Sequence, residues 1–401
     1  MAWQKVKLGD VCAWITSGGT PLTSKPDYYS PKEIPWLKTQ EVNYCRIYET
    51  NNQISKKGLE NSSAKLIPAN AVIVAMYGQG DTAGRVAINK IPLCTNQACC
   101  NLVIDENKAD YEFVYYNLCT LYDKLVSLKN GGAQPNLNAG LIKNLEISLP
   151  PLSTQKRIAD ILSAYDNLIE NNQKQIKLLE EAAQRLYKQW FIDLRYPGHE
   201  TTPIVDGLPK GWKRCRMDEK FKTVLGGTPS RANPNYWNGK VAWINSGEVN
   251  NLRIMKASEC ITELALEKSA TKMMPVHTTV LAITGATLGQ VSYTEIETCA
   301  NQSVVGIIDE TELFSMYLYL FVSTNIKSMI GKATGGAQQH INKDIVNEYK
   351  IILPEERVIK KMNILASPLF NKIADCYRQI DKLTESRDRL LPKLMNGEIE
   401  A

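Results

Sequence analysis

The chain carries one pattern twice, and that constrains its fold more than any single motif does. Gly18-Gly19-Thr20-Pro21 returns as Gly226-Gly227-Thr228-Pro229, and Gly131-Gly132-Ala133-Gln134 returns as Gly335-Gly336-Ala337-Gln338. Between these ends, Trp36 and Glu41-Val42-Asn43 match Trp243 and Glu248-Val249-Asn250. Asn96-Gln97 matches Asn301-Gln302, and Leu149-Pro150 matches Leu353-Pro354. The offset shrinks only from 208 (Gly18 to Gly226) to 204 (Leu149 to Leu353), so a few short insertions separate two diverged copies of one module. Each copy has about 150 residues, enough to bury most of its own apolar surface. The reading divides the chain into module one (1–150), a linking helix (151–195), module two (196–354) and a C-terminal helix (355–401).

The linking segments carry heptads. Leu162, Ile169, Ile176, Ala183 and Trp190 recur every seven residues, and Ile158, Tyr165, Asn172, Leu179 and Leu186 form a second series. Two interleaved series of this kind are the a/d seam of a coiled coil. The C-terminal segment repeats the design with Leu369, Cys376, Leu383 and Leu390 beside Ala366, Ile373, Ile380, Arg387 and Leu394. Asn172 and Arg387 are polar seam positions, which fix register at some cost in stability. The first helix has Ser153 as its expected N-cap, is followed by Pro197-Gly198 and spans roughly 55 Å at 1.5 Å per residue. The heptads favour the two helices pairing with each other over each lying alone on its own module. Antiparallel pairing would give an approximate two-fold axis and a spacer of fixed length.

Within each module, strand-like runs (71–75 and 279–283) alternate with turns and with helical stretches at 110–128 and 312–330. That mixture predicts α+β modules rather than regular βαβ units. The glycines Gly78, Gly80 and Gly84, and in copy two Gly285 and Gly289, mark chain reversals without the spacing of a phosphate-binding loop.

Composition excludes several function classes. The N-terminal residues are polar, unlike a signal peptide, and no apolar run reaches the length of a membrane span, so a cytoplasmic protein is expected. The ten cysteines are scattered, and only Cys94 and Cys299 match between copies, which favours reduced thiols over a disulfide framework. With no C-x-x-C pair, and with His199, His277 and His340 far from any cysteine cluster, no metal site is expected. A net charge of +5, spread evenly, permits nucleic-acid binding without arguing for it. Asn233-Pro234-Asn235-Tyr236 resembles the Asn/Asp-Pro-Pro-aromatic signature of amino-methyltransferases, but the second proline is missing and no cofactor-binding turn accompanies it, so it reads as a turn. An enzyme with two active sites would repeat titratable residues. The shared positions here are mainly Gly, Asn, Gln and aromatic, so no catalytic residues are expected.

The repeated order of these motifs resembles the specificity subunits of type I restriction–modification systems, the HsdS family, over essentially the whole chain. The resemblance rests on Gly-Gly-Thr-Pro followed by an aromatic pair and Trp (Tyr28, Tyr29 and Trp36; Tyr236, Trp237 and Trp243). It also rests on Asn-Gln after the glycine loop, on Gly-Gly-Ala-Gln before the helix, and on Gly207-Leu208-Pro209-Lys210-Gly211-Trp212 opening copy two. Leu149-Pro150-Pro151-Leu152-Ser153-Thr154-Gln155-Lys156 is similar to the family at the helix entry, whereas copy two departs from it with Leu353-Pro354-Glu355-Glu356-Arg357.

The resemblance implies two target recognition domains, each reading one half of a bipartite DNA sequence, with the helix pair setting the unread spacer. It implies assembly with two modification (methyltransferase) subunits, and allows restriction subunits to join. S-adenosylmethionine, ATP and Mg would then belong to those partners, leaving this chain without cofactor or catalysis. Two other readings stand beside it: a specificity partner of a fused restriction–methylation enzyme, and a coiled-coil scaffold, which leaves the duplicated modules unexplained.

Readers of bases are expected where the copies differ. Lys38, Thr39 and Gln40 face Ile244, Asn245 and Ser246. Arg46 and Arg85 in copy one, and Arg231, Arg253 and Gln290 in copy two, complete the candidate set with Asn245 and Ser246. Trp36 and Trp243 are expected in the core, and Gln134 and Gln338, being shared, are expected to hold module to helix.

Overall fold

The computed structural model describes residues 3–129, 136–331 and 341–400. Both Gly-Gly-Ala-Gln motifs, with Gln134 and Gln338, fall outside these residues, as does His340. The chain separates into two compact units, Met1–Leu168 with Lys382–Ala401, and Ile169–Asp381. Each unit therefore holds one α+β module and a piece of both long helices.

The modules repeat one topology. In the first, a five-stranded sheet runs in the order Cys12–Ser17, Cys99–Ile104, Val72–Ala75, Val86–Asn89 and Cys45–Ile47. In the second, the order is Lys222–Leu225, Val304–Ile308, Thr279–Ala282, Val291–Thr294 and Arg253–Ile254. The final strand is parallel to its neighbour in both copies and the others pair antiparallel. Both faces of the central strands are covered, so Val72–Ala75 and Thr279–Ala282 are continuous apolar or small runs rather than alternating ones. A smaller sheet built around the tryptophan-bearing strand, Ile34–Leu37 or Trp237–Ile244, lies beside each larger one. Each module closes on itself: Gln4–Lys7 pairs with Glu146–Leu149, and Lys213–Arg216 with Lys350–Leu353. The chain thus enters each long helix directly from the strand that seals the module.

The expected stretch 110–128 is two helices, Tyr111–Thr120 and Tyr122–Ser127, whereas its partner in copy two is continuous, Ser315–Ile330. Asp110 caps the former, accepting from the Phe113 N–H at 2.9 Å.

The long helices are Leu152–Tyr187, extended by a π-turn over Lys188–Ile192, and Glu356–Met395. Within the second unit they run antiparallel. Ile176 meets Ile373 and Cys376, while Ala183, Tyr187 and Trp190 share a cluster with Val358, Ile359, Met362 and Ala366. The first unit shows the same sense, with Ile158, Ala159 and Leu162 clustered with Leu390, Leu391, Leu394 and Met395.

Most expected seam residues are buried or half-buried, among them Ile169, Ile176, Leu179, Leu186, Leu369, Ile373, Ile380, Leu383 and Leu390. The buried stripe on the first helix differs from the strict heptad, however. Its members are Ile158, Leu162, Asp166, Ile169, Asn172, Ile176, Glu180, Ala183, Tyr187 and Trp190. Tyr165 and Leu179 are displaced to its margin by Asp166 and Glu180. Each helix packs at once against its partner helix and a module, so the buried face is wider than a two-helix seam.

Ile373 is wholly enclosed in the cluster with Ile176 and Cys376. Truncating it leaves a cavity between rigid helices, so Ile373→Ala is expected to lower unfolding free energy by about 2–5 kcal/mol. A fall in the urea midpoint at unchanged m-value checks this; a change below about 0.5 kcal/mol would place the residue at a surface.

Candidate functional site

The repeated motifs turn out to be internal clamps. Trp36 Nε1 donates to the Gly19 carbonyl at 3.0 Å, and Trp243 Nε1 to the Gly227 carbonyl at 3.0 Å. Both rings are buried, as expected of core residues. A Cβ on Gly18 or Gly226 would lie within about 2.2 Å of the backbone oxygens that follow the neighbouring strand, so only glycine fits there. The next residue closes the loop: the Thr20 hydroxyl donates to Gln97 Oε1, and that of Thr228 to Gln302 Oε1. The Glu-Val-Asn motif is equally structural. Glu41 accepts from the Lys38 and Asn51 N–H groups at 3.2 and 2.9 Å, and Glu248 from those of Asn245 and Ser258 at 2.9 and 2.8 Å. Asn233 Oδ1 accepts from the Asn235 N–H at 3.1 Å in a single 3-10 turn, so the methyltransferase-like tetrapeptide is a turn.

Because the shared residues hold the frame, difference between the copies has to be sought on its surface. Three candidate readers are not on a surface. Arg253 is wholly enclosed, and the Arg46 side chain is only 4% exposed. The register shows them to be equivalent: Arg46 sits opposite Ile88, and Arg253 opposite Tyr293, on the outer parallel strand. Thr39 is buried as well. These three assignments are corrected, since an arginine on an edge strand is read from sequence as exposed unless the helices that cover it are known.

The others lie at or near solvent. Gln40 is exposed, Lys38 sits half-buried with its Nζ 5.3 Å from the Trp36 ring, and Asn245 and Ser246 are half-buried. Arg231 is held within its own module: it makes two bonds to Glu259, at 2.8 and 2.7 Å, and stacks 3.5 Å over Trp237. The guanidinium draws the Glu259 carboxyl below its ordinary pKa.

Arg85 and Gln290 are the pair the fold matches most closely. Each follows a left-handed glycine, Gly84 (φ 97°) or Gly289 (φ 84°), at the tip of the hairpin between the third and fourth strands of the large sheet. The backbone bonds repeat: Arg85 N–H to Thr82 O at 3.1 Å and Gln290 N–H to Thr287 O at 3.0 Å, with both carbonyls accepting from the strand opposite at 2.9 Å. On this common frame copy one places Arg85 against Asn43 and Asp81 (2.9 and 2.6 Å), with Tyr44 and Tyr122 packed edge to face nearby. Burial raises the Tyr44 hydroxyl to about 12. Copy two places exposed Gln290, Asn250 and Asn251 on the corresponding elements. One frame thus carries two chemistries.

Sequence reasoning missed four other residues: Tyr116, Asp166, Glu180 and Tyr319. The Tyr116 hydroxyl donates to Asp166 Oδ2, and that of Tyr319 to Glu180 Oε1. Burial, then the adjacent carboxylate, raises the Tyr116 hydroxyl far above its ordinary range. Asp166 and Glu180 each directly follow an expected seam residue, Tyr165 and Leu179, and that adjacency was the signal available.

Among the described residues no group of three His, Cys, Asp or Glu is placed to hold a metal, and no helix is long and apolar enough to cross a membrane. The ten cysteines, all among the described residues, form no disulfide, and burial raises the thiols of the matched pair, Cys94 and Cys299, to about 11 each.

Comparison with known proteins agrees with the duplication. The family model described as type I restriction modification DNA specificity domain matches residues 2–181 and again 209–380. The type I restriction enzyme MjaIX specificity subunit of Methanocaldococcus jannaschii is 28% identical, over 99% of this chain and 93% of its own. The HindI specificity subunit of Haemophilus influenzae is 23% identical, over 71% and 75%. Among solved structures, the S subunit of a type I restriction–modification system from M. genitalium shares the fold with a TM-score of 0.62 at 17% identity, covering 98% of this chain and 96% of that one. With the family model matched once on each repeat, the chain belongs to the type I restriction modification DNA specificity domain family.

Proposed function

We propose that this chain is the DNA-reading subunit of a type I restriction–modification complex, each module reading one half of a two-part duplex sequence. The observation that carries the reading is the pair of equivalent hairpin tips bearing unlike side chains, Arg85 and Gln290. Arginine reaches guanine O6 and N7 with two parallel bonds, and glutamine reaches adenine N6 and N7; each such pair supplies ~1–3 kcal/mol of discrimination. Gln40, Lys38, Asn245, Ser246 and Arg231 extend the same polar surfaces to bases or phosphates.

One module reading a few base pairs selects too weakly for a genome, and two on one rigid support multiply their selectivity. The long helices, 36 and 40 residues without interruption, suit that support, because each contributes to both compact units. In this reading methylation of adenine and cleavage fall to two modification subunits and to restriction subunits in the same complex. S-adenosylmethionine, ATP and Mg go with those partners.

Purified with its modification subunits and presented with duplexes carrying two randomised half-sites and varied gaps, the protein is expected to enrich one discontinuous sequence in a salt-dependent way. Equal affinity for shuffled duplexes overturns the reading. Removing one heptad from both helices shortens the support by ~10 Å, about three base pairs, and is expected to abolish the native gap while leaving each half-site intact. An unchanged gap refutes the ruler.

Exchange at the tips gives a sharper test. Arg85→Gln is expected to change the preferred base at one position of a single half-site, by a factor corresponding to ~1–3 kcal/mol, and Gln290→Arg to do so in the other. A uniform loss of affinity at all positions instead assigns these side chains to the phosphates.

A further inference from the structure

The two buried arginines have a common design. In the second unit Arg253 Nη2 lies 3.4 Å from Glu180 of the first long helix, and its Nε 3.7 Å from Glu295. Its Nη1 donates to the Leu252 carbonyl at 2.9 Å. The guanidinium lies 4.7 Å from the Tyr319 ring and 4.6 Å from that of Phe370, which belongs to the second long helix. Tyr319 returns to Glu180, donating to Oε1 at 2.8 Å. One cation therefore ties the outer strand, the module's helix and both long helices together.

The first unit repeats this with altered wiring. Arg46 donates to Asn167 of the first long helix at 2.6 Å and lies 3.4 Å from Glu112. Tyr116, on the module's helix as Tyr319 is in the other unit, donates to Asp166, and Asp166 Oδ1 accepts from Arg387 of the second long helix at 2.6 Å. Lys90 completes the group, 3.0 Å from Glu112.

Apolar packing of a module on a helix is non-directional and tolerates small rotations, whereas hydrogen bonds to buried charges are short and narrow in angle. Buried ion pairs contribute little net stability because desolvation offsets their attraction, whereas breaking their geometry leaves an uncompensated buried charge. We infer that Arg253–Glu180–Tyr319 and Arg46–Tyr116–Asp166–Arg387 are positioning residues, which fix the angle at which each module stands on its helices and so set how strictly the protein measures the gap. The inference rests on the two-part reading proposed above.

Glu180→Gln keeps an acceptor for Tyr319 and removes the charge facing Arg253; Tyr319→Phe keeps the ring over the guanidinium and removes the donor. Each is assembled with the modification subunits and selected against the same library, beside thermal unfolding. The wild type is expected to return one gap. Both variants are expected to return the same half-sites while discriminating against gaps one base pair longer or shorter about tenfold less, the equivalent of ~1.4 kcal/mol. Asp166→Asn in the first unit is expected to do the same. Variants that unfold at lower temperature yet keep the sharp gap assign the residues to stability alone and overturn the inference. A wild type that selects no two-part target overturns the underlying reading, and this inference with it.

Discussion

Each unit depends on the buried stripe of the first long helix. From Ile158 to Trp190 that stripe is asked to satisfy two neighbours, a module on one side and the antiparallel segment of the second helix on the other. A stripe that serves only a partner helix is predominantly apolar at its a and d positions and carries few charges. Serving a module as well widens the buried face and brings Asp166 and Glu180 into it, and a carboxylate there is tolerable only with full partnership. Tyr116, Tyr319 and Arg253 supply it from the module side, and Arg387 from the second long helix. Module and helix are therefore one packing problem, which is why the compact units cut across the long helices instead of following the sequence divisions.

Much of this was legible in the sequence because duplication doubles every signal. Gly-Gly-Thr-Pro, Trp, Glu-Val-Asn and Asn-Gln are weak motifs singly, but their repeated order names a frame, and the geometry explains the repetition. Trp36 and Trp243 donate to the same glycine carbonyl, Glu41 and Glu248 cap the same turn, and Thr20 and Thr228 meet the same glutamine. The heptads gave the helices and their pairing for a similar reason, since period seven is a property of the chain alone.

What escaped was what depends on the third neighbour. Arg46 and Arg253 read as surface cations because charged residues are almost never fully buried unless paired, and their carboxylate partners lie more than 40 residues away. The same blindness left Asp166 and Glu180 out of the buried stripe. The heptad ranks residues by hydrophobicity, whereas burial is decided by which side the module occupies. Thr39 was misplaced for a simpler reason: it opens a 3-10 turn directly behind a buried strand, and its neighbour Gln40 takes the solvent position.

A division of labour follows. Residues common to both copies stabilise the frame and its seat on the helices, while the hairpin tips, hung from identical backbone bonds, are free to differ. Such an arrangement lets a reading surface change by side-chain substitution without disturbing its support, because the bonds that hold Arg85 and Gln290 in place are made by backbone atoms on either side of a left-handed glycine. The buried arginines mark the opposite extreme. Any change there must be matched on the module's helix and on the long helices together, and the two units show such matched sets, Phe370 beside Arg253 in one and Arg387 paired with Asp166 in the other. Freedom at the tips requires this rigidity at the base, since a reading surface that swings on its support cannot hold a bidentate contact to one base edge.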